Sequence, residues 1–132
     1  MTHRAIVPKA FRAAADNARM SPGLLSGSHL FLTGVTGRDA DGRMPFDPGE
    51  QFQLAFEKIG LVLDEAGLAF RSLVEMTTYH VGLREHFALF DATRLRYLTE
   101  PYPAWTAVEV AGLRRPGALV EIRAIASVAS PA

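Results

Sequence analysis

The stretch from Asp47 to Gly67, DPGEQFQLAFEKIGLVLDEAG, limits the folds open to this chain more than any other. Asp47 can cap a helix, Pro48 suits its first position, and Glu50 stands three residues after the cap. Phe52, Ala55, Phe56, Ile59, Val62, Leu63 and Ala66 recur at helical spacing, and Gly67 supplies a stop. The spacing predicts a helix over about residues 48–66. A long helix with one apolar stripe must lay that stripe against another layer.

The rest of the chain offers mostly strands to build that layer. Residues 1–18 are weakly patterned, with a possible short strand at Ala5–Val7. Leu24–Ser26 and His29–Thr33 flank Gly27-Ser28 and read as a hairpin. Val74–Val81, VEMTTYHV, is rich in β-branched and aromatic residues. Residues 85–98 read as a second helix with Phe87, Phe90 and Leu98 inward, ended by Pro101 and Pro103. Residues 104–110 form a strand, 113–118 a turn, and Leu119–Val128 a last strand with Val120, Ile122, Ala124, Ala126 and Val128 on one face.

The expected architecture is therefore α+β, one domain over 1–132, with a mixed sheet and two helices on one face. The other face should carry Trp105, Ala107, Glu109, Glu121, Arg123 and Ile125. A half-apolar face of this kind is usually covered by another subunit.

Composition narrows the function classes. Fourteen Lys and Arg balance fourteen Asp and Glu, which speaks against a nucleic-acid partner. There is no cysteine, so thiol nucleophiles and cysteine metal sites are excluded. No apolar run is long enough to span a membrane, and the first twenty residues hold no apolar signal core. A cytoplasmic protein is the expectation. The four histidines have no metal-ligand spacing, so no metal is expected.

The segments SPGLLSGSHLFLTG (21–34), EQFQLAFEKIGLVLDEAG (50–67), VEMTTYHV (74–81), PAWTAVEVAGL (103–113) and VEIRAIA (120–126) occur in an order that resembles the RidA (YjgF/YER057c/UK114) family. The resemblance covers nearly the whole chain. It implies a chorismate-mutase-like α+β fold and a homotrimer with small-molecule clefts at the subunit interfaces. It also implies cofactor-free hydrolysis of reactive enamines and imines, in which an arginine holds the substrate carboxylate and a glutamate places the attacking water.

Residue by residue the match is uneven. Glu121 falls at the glutamate, and Thr33-Gly34 at the hydroxyl-glycine pair. Met20 stands where a tyrosine is expected, and Asp91 where an asparagine is common. Trp105 occupies the place of the carboxylate-binding arginine. An indole offers one N–H and a π face that repels anions, where an arginine fork gives two charge-assisted bonds. A buried carboxylate without its partner loses about 2–5 kcal/mol. The usual 2-imino acids are therefore expected to be poor substrates unless Arg94 or Arg123 replaces the anchor. Backbone amides near Gly34 and Ala107 are candidates to hold developing charge.

Each of these residues also has a plainer reading. Trp105 fits ordinary core, Glu121 a salt-bridged strand residue, Thr33 a hydroxyl satisfying a strand end, and Asp91 with Arg94 a surface ion pair. A non-catalytic small-molecule-binding or chaperone-like trimer is the alternative to a deaminase.

Overall fold

The computed structural model describes residues 2–128. Six strands, β1 (His3–Ile6), β2 (Gly23–Ser26), β3 (His29–Thr36), β4 (Leu73–His80), β5 (Ala104–Glu109) and β6 (Val120–Ser127), form one sheet in the order β1-β2-β3-β6-β4-β5. Only β4 and β5 run parallel, joined by a helical crossover; the other pairs are antiparallel.

Three helices accompany the sheet: α1 (Arg12–Ala18), α2 (Pro48–Glu65) and α3 (Leu83–Arg94). Helix α2 starts as its sequence predicts, with the Asp47 carboxylate accepting from Glu50 N at 2.9 Å. Its stripe of Phe52, Ala55, Phe56, Ile59, Val62 and Leu63 is buried against Leu30, Leu32, Ile122, Ala124 and Ala126 of the sheet. Helix α3 ends four residues earlier than its sequence suggests, and Phe87 is 39% exposed while Phe90 is fully buried.

The expectation of two helices is corrected by α1. It was illegible because RAAADNA carries no apolar stripe; only Ala15 is buried. Arg19 closes α1 in the left-handed region, at φ 56° and ψ 49°, and Met20 N donates back to Ala15 O at 3.1 Å. That turn sends the chain into β2 and fixes where Met20 emerges.

Register also corrects the expected face of β5. Residues directly opposite one another in a sheet point to the same side. Trp105 is opposite Met76, Ala107 opposite Thr78 and Glu109 opposite His80. Met76, Thr78 and His80 are all buried beneath the helices. Trp105, Ala107 and Glu109 therefore lie on the helix side. Glu121, Arg123 and Ile125 lie on the open side, with Tyr79, Thr77, Glu75 and Phe31 opposite them. The alternation AWTAVE is compatible with either parity, and pairing with β4 decides it. Among the described residues, no helix is long and apolar enough to cross a membrane.

Candidate functional site

On the open face, the pairing of β3 with β6 shifts between Leu32 and Val35, so Thr33 and Gly34 sit in an irregularity of the ladder. The Thr33 hydroxyl donates to Ser21 O at 2.7 Å, and Thr33 N donates to Pro22 O at 3.0 Å. These bonds strap the segment after α1 to β3 and leave Met20, 50% exposed, at the rim of a cavity of about 370 Å³. Leu24, Phe31, Thr33, Gly34 and Arg123 also line that cavity. The Glu121 side chain lies over Gly34 so closely that a Cβ there would fall on the carboxylate. Glycine at 34 thus leaves the room in which Glu121 rests.

Arg123 is the one cation lining this cavity. Its only ion-pair partner among the described residues is Glu75, at 4.0 Å with both side chains about half exposed. Such a contact holds an arginine weakly, so the guanidinium stays available to a ligand.

The other predicted residues gather on the helix side, around β5 and α3. Trp105 stacks on Phe87 with centroids 5.9 Å apart and planes within 4°, and leans on Phe90 at 5.9 Å. Its Nε1–H donates to Thr78 Oγ1 at 2.9 Å. The Arg94 guanidinium carbon lies 4.4 Å from the Trp105 ring centroid, and Arg94 Nε donates to Asp91 Oδ1 at 2.7 Å. Arg94 is therefore committed twice, to an aromatic face and to a carboxylate. Asp91, 36% exposed, is occupied by the same bond.

Behind Trp105, Thr78 Oγ1 also lies 2.8 Å from His80 Nε2. His80 is buried edge-on to Phe90, and that burial lowers its pKa to about 4 against the pull of Glu109. Glu109 in turn caps α3, accepting from Leu83 N at 2.7 Å and Gly82 N at 3.0 Å, and these bonds hold its pKa below the usual carboxylate range. No group of three or more metal-ligating side chains converges among the described residues.

Within one chain the structure brings together Met20, Thr33, Gly34 and Glu121, and separately Asp91, Trp105 and Ala107. The two sets lie on opposite faces of the sheet, with β4 between β5 and β6. Sequence reasoning missed Leu24 and Phe31 as cavity walls. The parity that pairs Leu24 with Phe31, and Phe31 with Ile125, is the signal that would have found them. It also missed Thr78, whose role depends on a neighbouring strand.

A sequence model described as Endoribonuclease L-PSP matches residues 11–128. The chain is 30% identical over 125 residues to the RutC family protein YjgH of Escherichia coli (strain K12), covering 94% of both chains. It is 31% identical over 117 residues to a 2-iminobutanoate/2-iminopropanoate deaminase of Capra hircus, covering 87% of this chain and 84% of the relative. The solved structure of Protein YJGH superposes with a TM-score of 0.89 at 29% identity, covering 99% of this chain and all of the other. E. coli TdcF with bound serine superposes at 0.75 and 28%, covering 81% of this chain and 86% of that one.

Proposed function

Because the chain belongs to the Endoribonuclease L-PSP family, which takes in the YjgF and RidA proteins, we propose that it is a hydrolase of small reactive enamines or imines, built on Glu121. The observation that carries this reading is the Glu121 carboxylate laid over Gly34, which with Thr33 lines the cavity of the open face. Glu121 holds a water by accepting a hydrogen bond from its O–H. The water oxygen bonds to the imine carbon as its proton passes to the carboxylate. The nitrogen of the tetrahedral adduct takes that proton, the adduct's hydroxyl gives up its own to the same nitrogen by way of Glu121, the C–N bond breaks, and ammonia leaves a carbonyl product. Water is the only co-reactant, so the reaction calls for no cofactor.

The second cluster joins through assembly. In a homotrimer, the β5 edge and α3 of one protomer supply the far wall of a neighbour's cleft, with Asp91, Trp105 and Ala107 on it. The half-apolar open face, on which Phe31 is 39% exposed and Tyr79 and Ile125 part-buried, favours such burial. Trp105 offers this wall an apolar ring only, since its N–H already serves Thr78. Small 2-imino acids are thus poor substrates at that position, and Arg123 is the remaining cation of the site.

The test is ammonia release across a panel of imines generated in place by an amino-acid oxidase, alongside sedimentation equilibrium. Turnover of some panel member by a trimer, lost in Gly34→Ala because the added Cβ displaces Glu121, supports the reading. A stable monomer removes the shared cleft, and absence of turnover from the whole panel removes the hydrolase. A non-catalytic binding trimer is the second reading. The occupied state of Asp91, Arg94 and Trp105 favours it, and ligand-induced stabilisation without ammonia release identifies it.

A further inference from the structure

A second charged cluster, none of it lining the cavity of the open face, stands where two loops meet α2. Gln51 is 1% exposed and uses its whole amide to clamp them. Its Nε2 donates to Pro45 O at 2.7 Å and to Gly117 O at 3.0 Å, and its Oε1 accepts from Leu119 N at 2.8 Å. Gly37 presses so closely on the Gln51 backbone that a Cβ would collide with it. Met44 lies against Gly117, with Cγ 3.7 Å from where a Cβ would stand. Arg38 and Arg115 leave this clamped frame, and Lys58 rises two helical turns beyond Gln51 on the same stripe of α2.

Arg38, Lys58 and Arg115 are all part-buried. None of the three side chains has a hydrogen bond or an ion pair among the described residues. One acid, Asp39, acts on Lys58 against them, and its single charge offsets only part of theirs. Asp39 Oδ1 already accepts from Asp41 N and Arg43 N, both at 2.9 Å. Burial first, then Arg38 and Arg115, push the Lys58 pKa down to about 8, with Asp39 opposing. Arg38 is also the largest influence lowering the pKa of Arg115, followed by burial and Arg114. Three cations beside one carboxylate leave an excess of positive charge that a bound anion would offset.

We propose that Arg38, Lys58 and Arg115 form a binding site for a small dianion, of the phosphate-monoester class. Two arginine forks and one ammonium match phosphate oxygens. Three positive charges against the single charge of Asp39 leave an excess that matches a dianion better than a lone carboxylate. The Gln51 clamp holds the loops in place beforehand, which limits the ordering cost of binding. None of the three lines the cavity of the open face, and the proposal does not rest on the reaction proposed there.

The experiment is calorimetric titration of the full chain with inorganic phosphate at constant ionic strength. Saturable binding, with proton uptake near pH 8 as the bound anion recharges Lys58, is the expected result. Arg38→Gln, Lys58→Gln and Arg115→Gln should each weaken it at least about tenfold, with Arg12→Gln on α1 as an unchanged control. Arg38→Gln alters a loop side chain and keeps the test standing if Lys58→Gln fails to fold. No saturable binding at millimolar phosphate, or an affinity unchanged from wild type in the three variants, overturns the proposal. So does a single-stranded RNA that binds with a steep salt slope and is not displaced by phosphate, because the patch would then read a polyanion.

Discussion

Glu121 and Trp105 stand two strands apart on opposite faces of one sheet, and their surroundings are opposite in kind. Glu121 lies over Gly34 on the uncovered face, with Arg123 one pleat along, and that glycine and Arg123 both line the cavity. Trp105 is packed against Phe87, Phe90 and Arg94, and its single donor is used by Thr78. The first environment leaves charge available to a ligand. The second uses nearly every polar group to hold α3 against β5. Position in a family pattern marks both residues, whereas only local pairing shows which one has chemistry left to offer.

That contrast is open to breakage by mutation and by pH. The largest expected effect is on the Trp105 side. Trp105→Ala removes the stack on Phe87 and Phe90 and strips Arg94 of its platform, and should cost about 3–4 kcal/mol. Urea unfolding checks this; a loss below about 1 kcal/mol would make the indole a surface wall and not scaffold.

Next is the buried imidazole behind it. His80 has a folded pKa near 4, below its ordinary value of 6.5. The unfolded state therefore binds more protons between those values, and stability falls as pH drops through that window. The loss should reach on the order of 3 kcal/mol by pH 4. It should shrink in His80→Gln, and an unchanged acid slope in that variant would assign the loss to other groups.

Thr78→Val is the smaller perturbation, leaving the Trp105 N–H and His80 without their shared oxygen for about 1–2 kcal/mol. Arg123→Gln should be smallest, within about 0.5 kcal/mol, because its ion pair is long and exposed. A clear destabilisation there would mean that Arg123 is structural and unavailable to a ligand.

Much of this layout was legible because it is local. Asp47, Pro48 and the apolar stripe from Phe52 to Leu63 specify α2 by themselves, and Gly27-Ser28 marks the hairpin of β2 and β3. What could not be read is non-local. The parity of AWTAVE is set by β4, and α1 forms without an apolar stripe of its own. The closeness of Glu121 to Gly34 depends on a ladder shift between strands eighty-odd residues apart in sequence. Family pattern pointed to Glu121, Thr33 and Trp105 together, but one chain alone places Trp105 on the far side of the sheet from the other two.

The most direct test of the division is a crossed pair of variants, each measured for ammonia release and for urea stability. Glu121→Gln keeps the shape and removes the charge. It should lose about 10²–10⁴-fold in turnover and stay within about 0.5 kcal/mol of wild-type stability. Trp105→Phe keeps an apolar ring and removes the N–H, and should lose about 1–2 kcal/mol while retaining turnover within about tenfold. The reverse pattern, with activity lost at Trp105 and stability lost at Glu121, would contradict the assignment of chemistry to the open face.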